Sequence, residues 1–292
     1  MNTKGKVTGI IANLVIVKVD GPVSQNEICY ILMTNVKLMA EVIRVTEDYA
    51  YIQVFESTRG LKVNTEVEFT DHMLEATLGP GILSKNFDGL QHDLNKMEGV
   101  FLQKGDYKSA LEYDKLWEFK PTAKVGDVVQ PGSWVGEVQE NWINHKIMVP
   151  FAFKGTFTIR SIVEQGEYMI NDTIAVLVDE EEREYAVSMV QKWPVKLPIK
   201  AYKEKPRPFK LLETGVRVID SLNPIVEGGT GFIPGPFGTG KTVLQHALSK
   251  QAEADMIIVA ACGERANEVV EIFKEFPELE DPRTGRKLLE RT

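Results

Sequence analysis

The stretch Gly235-Pro236-Phe237-Gly238-Thr239-Gly240-Lys241-Thr242 has the spacing G-x-x-x-x-G-K-T. That spacing suits one chemistry, the gripping of a polyphosphate. Glycines let the backbone wrap closely round phosphate oxygens with its N–H groups pointing inward. Lys241 is long enough to reach the β- and γ-phosphates, and the Thr242 hydroxyl is placed to ligate Mg²⁺. A second point of chemistry is Gly263-Glu264-Arg265. Hydrolysis of a γ-phosphate needs a group that orients and polarises the attacking water, and Glu264 could supply that carboxylate. Arg265 could pair locally or respond to the phosphates. A Glu before a helix also serves simply to complement the helix N-terminus. Spacing alone leaves both roles open for Glu264.

These residues need a scaffold. Phe232-Ile233 reads as a short strand before the loop, and Val243, Leu244, Ala247 and Leu248 give a helical stripe after it. Such a helix brings partial positive charge to the phosphates. Met256-Ile257-Ile258-Val259-Ala260-Ala261-Cys262 is a continuous apolar run of the kind found in buried parallel strands, with Cys262 a small core residue. That strand would deliver Glu264 to the carboxyl edge of a sheet, where open α/β sheets bind ligands. Val269, Ile272, Phe273 and Phe276 then predict an amphipathic helix. Upstream, Leu211–Leu222 reads as helical in part, and Gly228-Gly229-Thr230-Gly231 leads into the loop strand.

The remainder of the chain is β-rich. Residues 5–70 read as about six short strands with regular turns, a small closed barrel. Val15, Val17 and Val19 alternate; Tyr49, Tyr51, Gln53 and Phe55 face one way, and Ala50, Ile52 and Val54 the other. Val63-Asn64 and Glu66–Phe69 close the set. Residues 71–115 are turn-rich and expected to cross between domains, with His72 and His92 isolated and in surface or packing roles. The segment 125–138 is echoed more loosely by 166–177, which predicts a compact all-β module with internal pseudo-symmetry. The pattern resembles the barrel-sandwich fold of biotinyl and lipoyl carriers. The position matching their modified lysine is Lys146, but the flanking Met-Lys-Met or Asp-Lys-Ala is missing, so modification is not expected. Asp179–Glu184 reads as a solvated loop. From Gln191 the prolines at 194, 198, 206 and 208 mark an extended, basic connector.

Bulk properties narrow the function classes. The 292 residues suffice for two or three domains, and the net charge of −8 argues against general nucleic-acid binding. Two cysteines, Cys29 and Cys262, lie far apart, which suits a reducing compartment without a disulfide framework. No apolar run approaches membrane-spanning length. Any membrane role is therefore expected to be peripheral, through partners.

Several stretches together resemble the catalytic A subunit (alpha chain) of V/A-type rotary ATPases. They are Gly235–Gln245, Gly263-Glu264-Arg265, Phe276-Pro277-Glu278-Leu279-x-Asp281-Pro282-x-Thr284-Gly285, Arg217–Leu222 and Leu78-Gly79-Pro80-Gly81. The resemblance runs the length of the chain and implies a multidomain fold. Its parts are an N-terminal β-barrel (1–70), a connecting segment (71–115), an inserted barrel-sandwich-like bulge (116–190) and the start of a RecA-like α/β nucleotide-binding domain (191–292). It implies Mg²⁺ and ATP/ADP as ligands. The nucleotide would lie on Gly235, Pro236, Phe237, Gly238, Thr239, Gly240, Lys241, Thr242 and Val243. Thr242 would hold the metal, Glu264 would orient water, and Arg265 would stand beside it. Ala266 departs from the Gly that often follows in the family, a difference that matters only if that backbone needs positive φ.

The resemblance further implies a cytoplasmic, membrane-peripheral location in a rotary complex. There an alternating ring with B-type non-catalytic subunits, and central and peripheral stalk subunits, couple ATP hydrolysis or synthesis to proton or sodium transport. A neighbouring subunit would supply an arginine to the phosphate. In the family the sheet continues beyond Thr292, so the chain is read as an N-terminal portion, expected alone to bind nucleotide weakly without turnover. Two other readings are a secretion ATPase or related ring-shaped motor, and a non-catalytic assembly or regulatory form. The bulge argues against the first; intact Lys241, Thr242 and Glu264 argue against the second.

Overall fold

The computed structural model describes residues 3–98, 103–200, 202, 204–236 and 238–292. Six strands come first: β1 (Lys4–Ile11), β2 (Leu14–Val19), β3 (Glu27–Leu32), β4 (Lys37–Thr46), β5 (Tyr49–Val54) and β6 (Glu66–Met73). They close into a barrel in the order β1-β2-β5-β4-β3-β6, as the regular turns predict. Closure comes from β1 against β6, with Lys4 opposite Glu68 and Lys6 opposite Glu66, and leaves no open sheet edge. Side chains alternate with period two. Val15, Val17, Ala50, Ile52 and Val54 are buried, while Tyr49 and Phe55 lie outside. Val63 is exposed, and Asn64 takes a left-handed turn, so the last strand starts only at Glu66.

The segment after the barrel touches several units. It contains β7 (Glu75–Leu78). Its Tyr107 hydroxyl accepts from the Met39 amide of the barrel at 2.8 Å. Its Gly81 and Leu83 amides both donate to Glu140 of the following module. His72 is exposed, and His92 is buried with Nδ1 2.8 Å from Asp88.

That module consists of β8 (Leu116–Pro121), β9 (Val128–Val129), β10 (Trp134–Glu140), β11 (Ile143–Met148), β12 (Phe157–Ile162), β13 (Gly166–Met169), β14 (Ala175–Val178) and β15 (Glu184–Val187). Two four-stranded sheets result, ordered β11-β10-β8-β13 and β15-β14-β12-β9. Each of the two echoing segments contributes one strand to each sheet, β9 and β10 from the first and β13 and β14 from the second. Between the sheets lie Phe119, Val138, Ile147, Phe157, Ile159, Ile174 and Leu177, all buried. Lys146 sits inside β11, opposite Glu137 and ion-paired with it, while the hairpin turns at Asn141-Trp142. In the 179–184 loop the Asp179 carboxyl would be raised by burial. The amides of Arg183 and Glu181 and the Arg183 guanidinium outweigh that and hold it at about 2.

The proline-bearing connector begins differently from expectation. Gln191–Pro194 is a strand, β16, paired antiparallel with β7. Pro194 is tolerated because it pairs with Glu75 at a position whose N–H the ladder does not call on; the next amide, Val195 N, donates to Leu74 O at 2.9 Å. Farther on, Lys196 reaches back to Glu41 of the barrel.

The last unit holds β17 (Leu211–Leu212), α1 (Arg217–Leu222), β18 (Ile225–Val226), α2 (Lys241–Gln251) and α3 (Ala266–Glu275), then a 3-10 turn at Leu288–Arg291. Two expected strands are not formed. Phe232-Ile233 and residues 256–262 run as irregular chain; Phe232 is 87% and Ile258 86% exposed, and Cys262 is exposed rather than in a core. An apolar run records a tendency to be buried. A parallel strand additionally needs neighbours to take its backbone hydrogen bonds, and among the described residues neither run has a ladder partner.

Candidate nucleotide-binding site

Gly240 adopts φ 81 and caps α2, so the chain turns straight from the loop into the helix at Lys241. Only a residue without a Cβ takes that backbone freely. A Cβ on Gly235 would lie 2.5 Å from Thr239 Oγ1, which itself donates to Pro236 O at 2.8 Å. The loop is thus folded on itself. Lys241 Nζ donates to the carbonyls of Gly235 and Pro236, each at 2.9 Å. No side chain caps the helix start, which leaves its first amides without a side-chain acceptor next to a lysine held on the loop, an arrangement that favours an anion. Gly238 is exposed, Val243 is 71% exposed, and Phe237 lies outside the described residues.

Glu264 is exposed and sits just before α3, whose N-cap is Arg265. It stands at a helix entrance and not at a strand tip, a position where a negative charge is favoured in its own right. Ala266 opens the helix, so its backbone makes no demand for glycine. The helix buries Phe276 at its end and leaves Phe273 43% exposed, so the inward stripe is narrower than predicted.

Two side-chain contacts tie α3 to α2. Thr242 Oγ1 lies 3.4 Å from Glu268 Oε2, and His246 Nδ1 lies 3.1 Å from Glu275 Oε2. Both contacts advance in the same sense along the two helices, so the helices run parallel with their N-termini at the same end. At that end stand Lys241 and Thr242, which open α2, and Arg265, the N-cap of α3, with Glu264 just before it. Glu268 was not singled out from the sequence. It lies in the first turn of α3, four positions after Glu264, and its place three residues past Arg265 is the signal the sequence offers. Thr242 and Glu268 provide two neighbouring oxygens, the hard donors Mg²⁺ takes, and Mg²⁺ characteristically completes its shell with water and phosphate.

Further polar contacts tie together the segments of this unit. Asp220 of α1 accepts from the Thr214 hydroxyl at 2.6 Å and from the Thr214 and Gly215 amides. Arg283 Nη2 donates to Ala252 O at 2.6 Å, just past α2. Arg291, 2% exposed, bonds Ala254 O and lies 3.2 Å from Asp281.

Comparison with known proteins settles the relationship. Three models of one family match in order: the beta-barrel domain over residues 7–71, the barrel-sandwich domain over 108–196 and the nucleotide-binding domain over 215–292 of ATP synthase alpha/beta subunits. The chain belongs to the ATP synthase alpha/beta family. Within that family it is 50% identical to a V-type ATP synthase alpha chain of Borrelia recurrentis (strain A1) and 50% to one of Borrelia duttonii (strain Ly). Identity to the V-type ATP synthase alpha chain of Borreliella burgdorferi (strain ZS7) is 48%. Each alignment covers 100% of this chain and 51% of the relative. The chain therefore spans about half the length of the curated relatives it matches. No helix among the described residues is long and apolar enough to cross a membrane.

Proposed function

We propose that this chain forms the barrel, the bulge and the phosphate-gripping part of the catalytic site of a V-type rotary ATP synthase. The complex would couple hydrolysis or synthesis of Mg-ATP to movement of protons or sodium ions. The observation that carries this reading is the Lys241-Thr242 helix start, facing α3 through Thr242 and Glu268, in a chain similar over its whole length to V-type ATP synthase alpha chains. The partners are B-type subunits in an alternating ring and the stalk subunits. The location is cytoplasmic and peripheral to the membrane, reached through the complex.

Each group has a physical task. The amides of Gly238, Thr239 and Gly240 hold phosphate oxygens, while Gly235, Pro236, Phe237 and Val243 shape the loop. Lys241 exchanges its two loop carbonyls for the β- and γ-phosphates, replacing neutral acceptors by charged ones. Thr242 and Glu268 hold Mg²⁺ directly or through water, and the metal supplies charge neutralisation on the transferring phosphate. Glu264 orients and polarises the attacking water. Arg265 beside it adds positive charge to that end of α3.

Isothermal titration of the chain with Mg-ADP, alone and as Lys241→Ala, tests the assignment. One charge-assisted bond is worth ~1.5–3 kcal/mol, so the variant should bind roughly 10- to 100-fold more weakly. Equal affinity in the two proteins, or no binding by the unaltered chain at millimolar nucleotide, would overturn it.

A further inference from the structure

We infer that His246 and Glu275 are a positioning pair that fixes the register of α3 on α2 and so keeps Glu268 at the Thr242 hydroxyl. The inference rests on the nucleotide-site reading above and adds two residues to it. His246 is one helical turn beyond Thr242, on the same face of α2. Its side chain is 13% exposed. Its ring meets Phe276 edge-on, with centroids 5.2 Å apart and planes at 86°. Its Nδ1 lies 3.1 Å from Glu275 Oε2. Its Nε2 is buried and has no hydrogen-bond partner among the described residues.

That last fact separates a positioning role from simple filling. A buried nitrogen without a partner is costly, and an apolar side chain would occupy the same space without that cost. The imidazole brings something an apolar residue lacks, a directed N–H donor on Nδ1 that selects one oxygen of one residue on α3. Ring packing on Phe276 fixes the far end of α3 sideways, and the bond to Glu275 fixes it lengthwise. A helix held at Glu275 cannot slide on its neighbour, so Glu268, two turns nearer the N-terminus on the same face, stays beside Thr242. Glu264 lies just before the N-cap of α3, so its distance from the loop depends on the same register.

The consequence falls on the metal side of the site. Residues that orient ligands from behind change metal affinity about 10- to 100-fold when lost. The phosphate grip of Lys241 and the loop amides lies on α2 and its preceding loop and does not depend on α3. Losing the pair should therefore weaken the help that Mg²⁺ gives to nucleotide binding while sparing metal-free binding.

The experiment measures ADP affinity with and without Mg²⁺ in the 292-residue chain. It compares the unaltered chain with His246→Phe, His246→Gln and Glu275→Gln. His246→Phe keeps a ring on Phe276 and removes the donor. It should lower the Mg²⁺-dependent gain about tenfold and leave metal-free affinity unchanged. His246→Gln offers an amide N–H to Glu275 and should restore most of the gain. An undiminished gain in His246→Phe overturns the inference, and so does an equal loss in the Phe and Gln variants, which would make the effect one of shape. Amide hydrogen exchange over residues 266–276 without nucleotide tests the pair by itself. Exchange about fivefold faster in His246→Phe, and restored in His246→Gln, supports it; unchanged exchange overturns it. Absence of ADP binding in the unaltered chain strikes at the nucleotide-site reading, whereas normal binding with an undiminished gain strikes only at the pair.

Discussion

Glu140 offers the sharpest test of how the bulge is anchored. It ends β10, and its side chain is 3% exposed. Its Oε1 accepts two backbone bonds, from Gly81 N at 2.8 Å and Leu83 N at 3.0 Å, and its Oε2 lies 2.6 Å from His145 Nδ1. One carboxylate thus pins Gly81 and Leu83, at the end of the Leu78-Gly79-Pro80-Gly81 stretch that carries part of the family resemblance, to the module. Glu140→Ala would strand both amides. A buried unsatisfied donor costs ~1–3 kcal/mol, so the pair sums to ~2–6 kcal/mol. Gly81 is partly exposed and can recruit water, which places the expectation nearer ~3 kcal/mol. Glu140→Gln keeps Oε1 for both amides and replaces the charged acceptor facing His145 with an NH2 donor, which costs one bond and not two stranded amides, so about 1 kcal/mol should go. Urea unfolding followed by tryptophan fluorescence is the assay. The chain has four tryptophans, Trp117, Trp134, Trp142 and Trp193, all within or bordering this module. Equal losses in the two variants, or a Glu140→Ala variant within about 0.5 kcal/mol of the unaltered chain, would refute the argument, because no surface substitution away from such contacts does more.

Three further outcomes are expected. Burial would raise the Glu140 carboxyl, but the bonds from His145 and from the Leu83 and Gly81 amides together hold it below its ordinary value of 4.5. Its stabilising contribution is therefore complete above pH 4.5 and is lost as the pH falls through the depressed value; fluorescence-detected acid unfolding should shift to higher pH in Glu140→Gln. Asp281→Ala should expose the unpaired charge of buried Arg291 and destabilise the 252–292 region by ~3–5 kcal/mol, read as accelerated hydrogen exchange there with the barrel unaffected. Asp220→Ala removes three bonds to Thr214 and Gly215. It should loosen α1, with limited proteolysis cutting first between residues 213 and 222.

The β portions were legible because their code is local. Alternation at residues 49–55 gave the strand and its division into two faces, since a barrel with one wet face imposes period two, and the structure turns Ala50, Ile52 and Val54 inward. The internal echo of 125–138 in 166–177 showed that the module is built twice over. Pro194 reads as part of an extended connector, and only the pairing of Gln191–Pro194 with Glu75–Leu78 discloses that this extended chain is a strand. In the last unit the helices were readable from their stripes. The run 256–262 was read as a buried strand because composition reports burial, whereas strand formation depends on neighbours it cannot name.

Residue types and spacing by themselves determined the glycine-rich loop before α2 and the nucleotide-site reading placed on it. Its glycines, lysine and threonine act through backbone geometry within eight consecutive positions, from Gly235 to Thr242. They also determined the strands of the barrel and of the doubled module, whose alternation is short-range, while the order in which those strands pair belongs to the tertiary structure. Tertiary structure alone decided which groups meet across the site. Thr242 finds Glu268, and His246 finds Glu275, across gaps of 26 and 29 residues. Likewise Glu140 reaches back 59 residues to Gly81. The physical reason is range: a side chain's own propensity fixes its backbone, but its partner is chosen by how separate elements pack.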